Sequence, residues 1–116
     1  MFTKCKKDDY QTVAPGILMR TLCFGSSTLM TEFRLLHGHT LPMHSHPHEQ
    51  TGYLISGHIA LTIGHETHDV VPGDSWCIAG GVEHGAKVLQ DSVAVEVFCP
   101  VRDDYLPPSP AAPTPR

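Results

Sequence analysis

The segment His44-Ser45-His46-Pro47-His48-Glu49-Gln50 holds the densest group of metal-ligating side chains in the chain. In an extended backbone, side chains two positions apart point the same way, so His44 and His46 can offer two imidazoles to one ion. Gln50, four residues beyond His46, comes back to that side once the chain turns. His84, closing the run Gly80-Gly81-Val82-Glu83-His84, is an isolated histidine expected on a strand. Three imidazoles and one oxygen ligand leave room for water or substrate, which is the pattern of an open, catalytic metal site. A closed structural site would draw on thiolates, yet Cys5, Cys23, Cys77 and Cys99 show no C-x-x-C spacing. The competing reading leaves the histidines as surface or core residues and Gln50 as an ordinary polar side chain.

Ligands some forty residues apart need a scaffold that folds distant segments together. Ten glycines and ten prolines in 116 residues argue for many turns between short strands. Strand-like runs cover Ile17 to Phe24, Thr28 to Leu36, Gly52 to Ser56, His58 to Ile63, Thr67 to Val71, Ser75 to Ile78, Glu83 to Leu89 and Ser92 to Cys99. Val13-Ala14-Pro15-Gly16 reads as a turn, Gly57 as a hairpin-like break, and Gln90-Asp91 as the divider of the last two strands. In that last strand Val93, Val95 and Val97 share one face, and Ala94, Glu96 and Phe98 the other. With no helical period anywhere, the expected class is all-β, a sandwich or barrel in one domain. The folded unit is expected over residues 10–106, with a loose, flexible N-terminal segment over 1–9 and a proline-rich extended tail over 107–116.

Eight Lys and Arg against twelve Asp and Glu give a net charge of −4, so no basic footprint for nucleic acid exists. No run approaches the roughly 18 apolar residues of a membrane span. The opening residues lack an apolar secretory core, which points to the cytoplasm and to cysteines kept as reduced thiols.

Gly38, His44, His46, Gln50 and Gly57 meet the pattern G-x5-H-x-H-x3-Q-x6-G, and Gly73, Gly81 and His84 meet G-x5-A-x-G-x2-H. Together these resemble the two cupin motifs. The resemblance implies a double-stranded β-helix, or jelly-roll barrel, with His44, His46, Gln50 and His84 as ligands inside it. Three positions depart from the usual pattern: Gln50 replaces Glu, Ala79 replaces Pro and Val88 replaces Asn. Gln50 matters most. A neutral amide leaves a divalent ion its full charge, favouring Lewis-acid chemistry over stabilisation of an oxidised iron.

A narrower similarity rests on His44-Ser45-His46-Pro47-His48-Glu49-Gln50, Pro72-Gly73-Asp74-Ser75-Trp76 and Glu96-Val97-Phe98-Cys99-Pro100-Val101-Arg102. Over residues 12–106 the chain resembles the KdgF family of pectin and alginate catabolism. That resemblance implies conversion of 4,5-unsaturated monouronates to linear ketonic sugar acids. It maps the catalytic acid, Phe and Arg onto Glu96, Phe98 and Arg102, with Glu96 one methylene longer than the Asp expected there. Glu96 would serve as general acid/base, and Arg102 would hold the substrate carboxylate through paired N–H groups. The plainer readings are a solvent-facing Glu96 on an edge strand, a surface Arg102, Phe98 as core packing, and Trp76 as packing or a pocket wall. The cofactor is a divalent transition metal; nickel, zinc, manganese and iron all suit these donors. A small sugar acid is the implied partner, and the resemblance also implies a homodimer. An Fe(II) dioxygenase-type cupin and a non-catalytic cupin that binds a sugar or small acid are the alternatives. His48 reads as a rim residue beside the ligands, and His37, His39, His58, His65 and His68 as surface.

Overall fold

The strand-forming segments pair into one antiparallel system in the computed structural model of the chain, which describes residues 1–6 and 8–107. The strands are β1 (Gln11–Ala14), β2 (Ile17–Phe24), β3 (Leu29–Leu35), β4 (Thr40–His44), β5 (Glu49–Ile63), β6 (Glu66–Val70), β7 (Ser75–Ile78) and β8 (His84–Cys99). A 3₁₀ turn over Asp103–Tyr105 is the only helical element among the described residues. No helix there is long and apolar enough to cross a membrane. Of the expected proline-rich tail over 107–116, all but Pro107 lies outside the described residues.

β5 and β8 are the two long strands, and they run beside each other from Glu49↔Cys99 to Ile63↔His84. At one end this pair is flanked by β3 and β7, and at the other by β4 and β6. Both ends contribute to one buried cluster, Leu54 and Ala94 from the first, Ile59, Leu61 and Val88 from the second. The long pair therefore bends from one layer of the jelly roll into the other and wraps both around a shared core. Ile17, Leu29 and Leu54 have no exposed surface. Burying a side chain of that size stabilises the fold by about 1.5–3 kcal/mol.

Three local expectations are corrected. Val13 and Ala14 belong to β1, which pairs with β2, so the turn is confined to Pro15-Gly16. Gly57 does not turn a hairpin. It sits at a φ of 98° within continuous β5, where the register shifts between Leu54 and Ile59. A residue with positive φ and an irregular ladder make a bulge, which bends a strand without reversing it. A Cβ at Gly57 would also strike Ser92 of β8, so the two strands touch where they bend. Gln90 and Asp91 likewise stay inside β8, and the pairing of His58 with Gln90 bridges the bend.

Candidate metal centre

β4 and β8 pair so that His44 lies directly opposite His84. His46 follows in the loop after β4, where its carbonyl accepts the Gly81 N–H at 2.8 Å, tying that loop to the one preceding β8. As a result, nitrogens of His44, His46 and His84 all lie within 4.8 Å of one another, in a group half-buried at His44 and His46 and buried at His84. The ring centroids of His44 and His84 are 4.3 Å apart, and those of His46 and His84 are 5.0 Å apart.

Hydrogen bonding orients the three rings alike. His44 Nδ1 donates to the Pro42 carbonyl at 2.9 Å, His84 Nδ1 to the Val82 carbonyl at 2.9 Å, and His46 Nδ1 to the His48 carbonyl at 3.1 Å. A carbonyl only accepts, so each Nδ1 carries the proton and each Nε2 presents a lone pair. His46 Nε2 and His84 Nε2 are buried with no hydrogen-bond partner among the described residues. Such orphaned acceptors are costly unless something else satisfies them, and a cation does so. Burial first, and then the Arg102 charge and the neighbouring imidazole of His44, hold both rings below the usual imidazole range. They are therefore neutral and ligand-ready at pH 7.

Gln50, on β5, is 5% exposed. Its Nε2 donates to Glu96 Oε1 at 2.5 Å, while its Oε1 is buried without a partner. The amide is thus turned with its donor toward Glu96 and its acceptor left over. Three imidazole nitrogens and one amide oxygen fit a divalent cation with a position to spare.

Glu96 is on the inner face of β8, which is a central strand here and not an edge. Although the residue keeps partial exposure, its carboxyl end lies between Gln50 and Trp76, whose Nε1 donates to the same oxygen at 3.2 Å. Burial pushes the carboxyl up to about 7, against the opposing pull of the Trp76 and Gln50 donors and of Arg102. An acid poised there can both take and give a proton near neutrality. Phe98, 1% exposed, packs its ring edge-on to His46 and to Tyr105. Arg102 follows the strand, and its guanidinium sits over the Tyr105 ring, Cζ 3.9 Å from the ring centroid. Its Nε and one terminal nitrogen already donate to Asp104, at 3.1 and 2.7 Å.

Beneath Gln50, Glu96 and His84 lies a cavity of about 30 Å³, walled by Leu41, Ile59 and Val88. That is room for about one water. A larger ligand would therefore meet the site from the side of the half-buried His44 and His46, not from within this cavity. A larger groove of about 380 Å³ lies beyond Trp76, next to His68, Asp69 and Asp74, and includes none of the three histidines.

The cupin domain profile matches residues 31–101. This chain is a cupin. Among solved structures this cupin is similar to KdgF from Halomonas sp., with 30% identity, a TM-score of 0.80 and coverage of 84% of this chain and 91% of that one. It also superposes on an RmlC-like cupin from Shewanella frigidimarina at 21% identity and a TM-score of 0.85, covering 90% and 95% of the two chains. A salicylate 1,2-dioxygenase from Pseudaminobacter salicylatoxidans shares the fold at 16% identity and a TM-score of 0.72. There the match spans 75% of the cupin and 27% of the dioxygenase. Among curated proteins, none matches the chain.

The structure brings together every residue singled out in the sequence: His44, His46, Gln50, His84, Glu96, Phe98 and Arg102. His48 stands at the rim, its ring 5.4 Å from that of His46. His37 and His39 are exposed, and His58 pairs with Asp69. Sequence reasoning missed Asp104 and Tyr105, which occupy and support the Arg102 guanidinium. The only available signal was their place directly after it. It read Trp76 as packing or a pocket wall; the residue does line the cavity, and its indole also hydrogen-bonds to Glu96.

Proposed function

We propose that this cupin is a metal-dependent enzyme that opens 4,5-unsaturated monouronates to the linear ketonic acid, with His44, His46, Gln50 and His84 holding the metal. The observation that carries the reading is the pairing of orphaned ligand atoms with a carboxyl group poised near neutrality, linked through the Gln50 amide. A divalent cation bound there supplies Lewis-acid polarisation of a substrate oxygen. Opening the ring breaks the bond between the anomeric carbon and the ring oxygen. The anomeric hydroxyl loses its proton and becomes an aldehyde, and the ring oxygen is left as an enol. Protonation of the far alkene carbon, with loss of the enol proton, then gives the ketone. No atom is gained or lost, so one group that accepts and returns a proton suffices, and Glu96 is that group.

Arg102, whose Cζ lies 5.2 Å from the Phe98 ring that packs on His46, is the cation assigned to the substrate carboxylate in this reading. Its guanidinium must exchange part of its pairing with Asp104 for that contact, which the exposed Asp104 side chain permits. Tyr105 and Phe98 keep the guanidinium plane and the His46 ring in place during the exchange. The similarity to KdgF from Halomonas sp. across most of both chains supports this choice of substrate class.

The test is to mix the protein with a lyase-generated unsaturated monouronate and follow loss of the alkene's ultraviolet absorbance, with and without a chelator. Metal-dependent loss is expected. Unchanged absorbance with metal-loaded protein refutes the reading. Oxygen uptake with ferrous iron would then favour dioxygenase chemistry, and a metal-dependent ligand shift alone would favour a binding protein.

A further inference from the structure

Trp76 on β7 and Glu96 on β8 are not adjacent; β5 runs between them. The register places Gly52 of β5 opposite both, since Gly52 pairs with Trp76 on one side and with Glu96 on the other. All three therefore form one row across the inner face of the sheet. A side chain at the middle position would separate the outer two. Gly52 has none, and a Cβ built there would overlap Cε2, Nε1 and Cζ2 of the Trp76 indole. The glycine is there for room and not for backbone freedom, because its φ is not positive. The indole lies across this gap and donates Nε1–H to Glu96 Oε1 at 3.2 Å, and Gln50 donates to the same oxygen. Glu96 Oε2 makes no hydrogen bond among the described residues. One oxygen is thus held by two donors while the other stays free.

We propose, building on the reading of Glu96 as the proton-transferring group, that Trp76 is a positioning residue whose indole N–H turns the Glu96 carboxyl so that Oε2 faces the substrate, and that Gly52 is the spacer that lets it reach. Gln50 alone could hold Oε1 but leaves the carboxyl free to rotate about that contact. A second donor to the same oxygen, from the next strand over, removes the rotation. Misplacing a reacting group by about 1 Å can cost on the order of 100-fold in rate. Loss of Trp76 should therefore act on turnover and not on metal or substrate affinity.

Trp76 is the sole tryptophan of the chain, so uniformly ¹⁵N-labelled protein gives one indole N–H signal in a two-dimensional NMR spectrum. In metal-free protein, Glu96→Ala should move that signal away from the hydrogen-bonded position and speed its exchange with water. Gly52→Ala should do the same while leaving Glu96 in place. An indole signal unmoved by Glu96→Ala overturns the proposal whether or not the protein turns over uronates. In the kinetic arm, Trp76→Phe keeps the ring and deletes the donor. It should lower kcat about 10- to 100-fold with metal content and KM near wild type. Wild-type kcat in Trp76→Phe overturns the positioning role. Absence of uronate turnover by the wild-type protein refutes the proposed function instead, and the NMR arm then decides the contact alone. Should Gly52→Ala fail to fold, Trp76→Phe and Glu96→Ala suffice for both arms.

Discussion

Replacing Glu96 with glutamine in metal-free protein should raise stability by an amount that grows with pH. Burial lifts this carboxyl from 4.5 to about 7. Between those values the native state keeps a proton that the unfolded chain has released. The native state then binds more protons than the unfolded one, so stability falls as pH rises through that window. Below 4.5 both states are protonated and the cost is absent; above about 7 it is complete. Each unit is worth about 1.4 kcal/mol, so the full cost is about 3 kcal/mol. Glutamine keeps the shape and still offers an acceptor to Gln50 Nε2 and Trp76 Nε1, but it has no charge to desolvate. The assay is urea unfolding of chelator-treated wild type and Glu96→Gln from pH 4.5 to 8.5. Their difference matters, since the depressed His46 and His84 contribute equally to both. It should grow toward about 3 kcal/mol at pH 8.5, which for a domain of this size is a melting-temperature gain of roughly 10 °C or more. A difference that stays constant with pH would refute the claim that Glu96 is desolvated. Adding the metal should shrink the difference, because a nearby cation favours the carboxylate.

His84→Ala should lose most of its bound metal, measured by elemental analysis of untagged protein; a wild-type metal content would remove His84 from the ligand set. Glu96→Gln should abolish uronate turnover while keeping its metal, and unchanged turnover would exclude Glu96 from proton transfer. Arg102→Ala should reduce kcat/KM about 10- to 100-fold, the worth of one or two charge-assisted hydrogen bonds. Arg102→Lys should not restore it, because an ammonium offers no planar fork. Leu54→Ala, at a side chain with no exposed surface, should cost about 2–5 kcal/mol of stability in denaturant unfolding.

Metal-ligand chemistry was legible in the amino-acid order because it depends on a few residue types at short spacings. The H-x-H spacing of His44 and His46 marks a ligand pair, although His46 lies past the end of β4 and is placed by its loop, and the isolated His84 stands out by its type. The strand-rich class was legible for a similar reason, as turn residues punctuate the chain at short intervals. The boundaries were less so. Gly57 and the Gln90-Asp91 pair look like turns because local sequence reports backbone freedom, and the same freedom serves a bulge or a reversal. Only the pairing of β5 with β8 decides that both strands continue and bend together.

Tertiary register decided the rest. His44 meets His84, and Trp76 meets Glu96 across Gly52, through cross-strand alignments between segments 20 to 44 residues apart, which no local pattern encodes. The elevated Glu96 carboxyl arises from what surrounds it, so the same glutamate on an edge strand would titrate as any exposed acid. Arg102 could be recognised as a cation near the strand end, but its pairing with Asp104 and its place over Tyr105 depend on how the final turn packs against Phe98. Residue types set which chemistry is available, because they carry the lone pairs and charges. Packing sets which atoms are left free to use it, because burial and partners are properties of the folded chain.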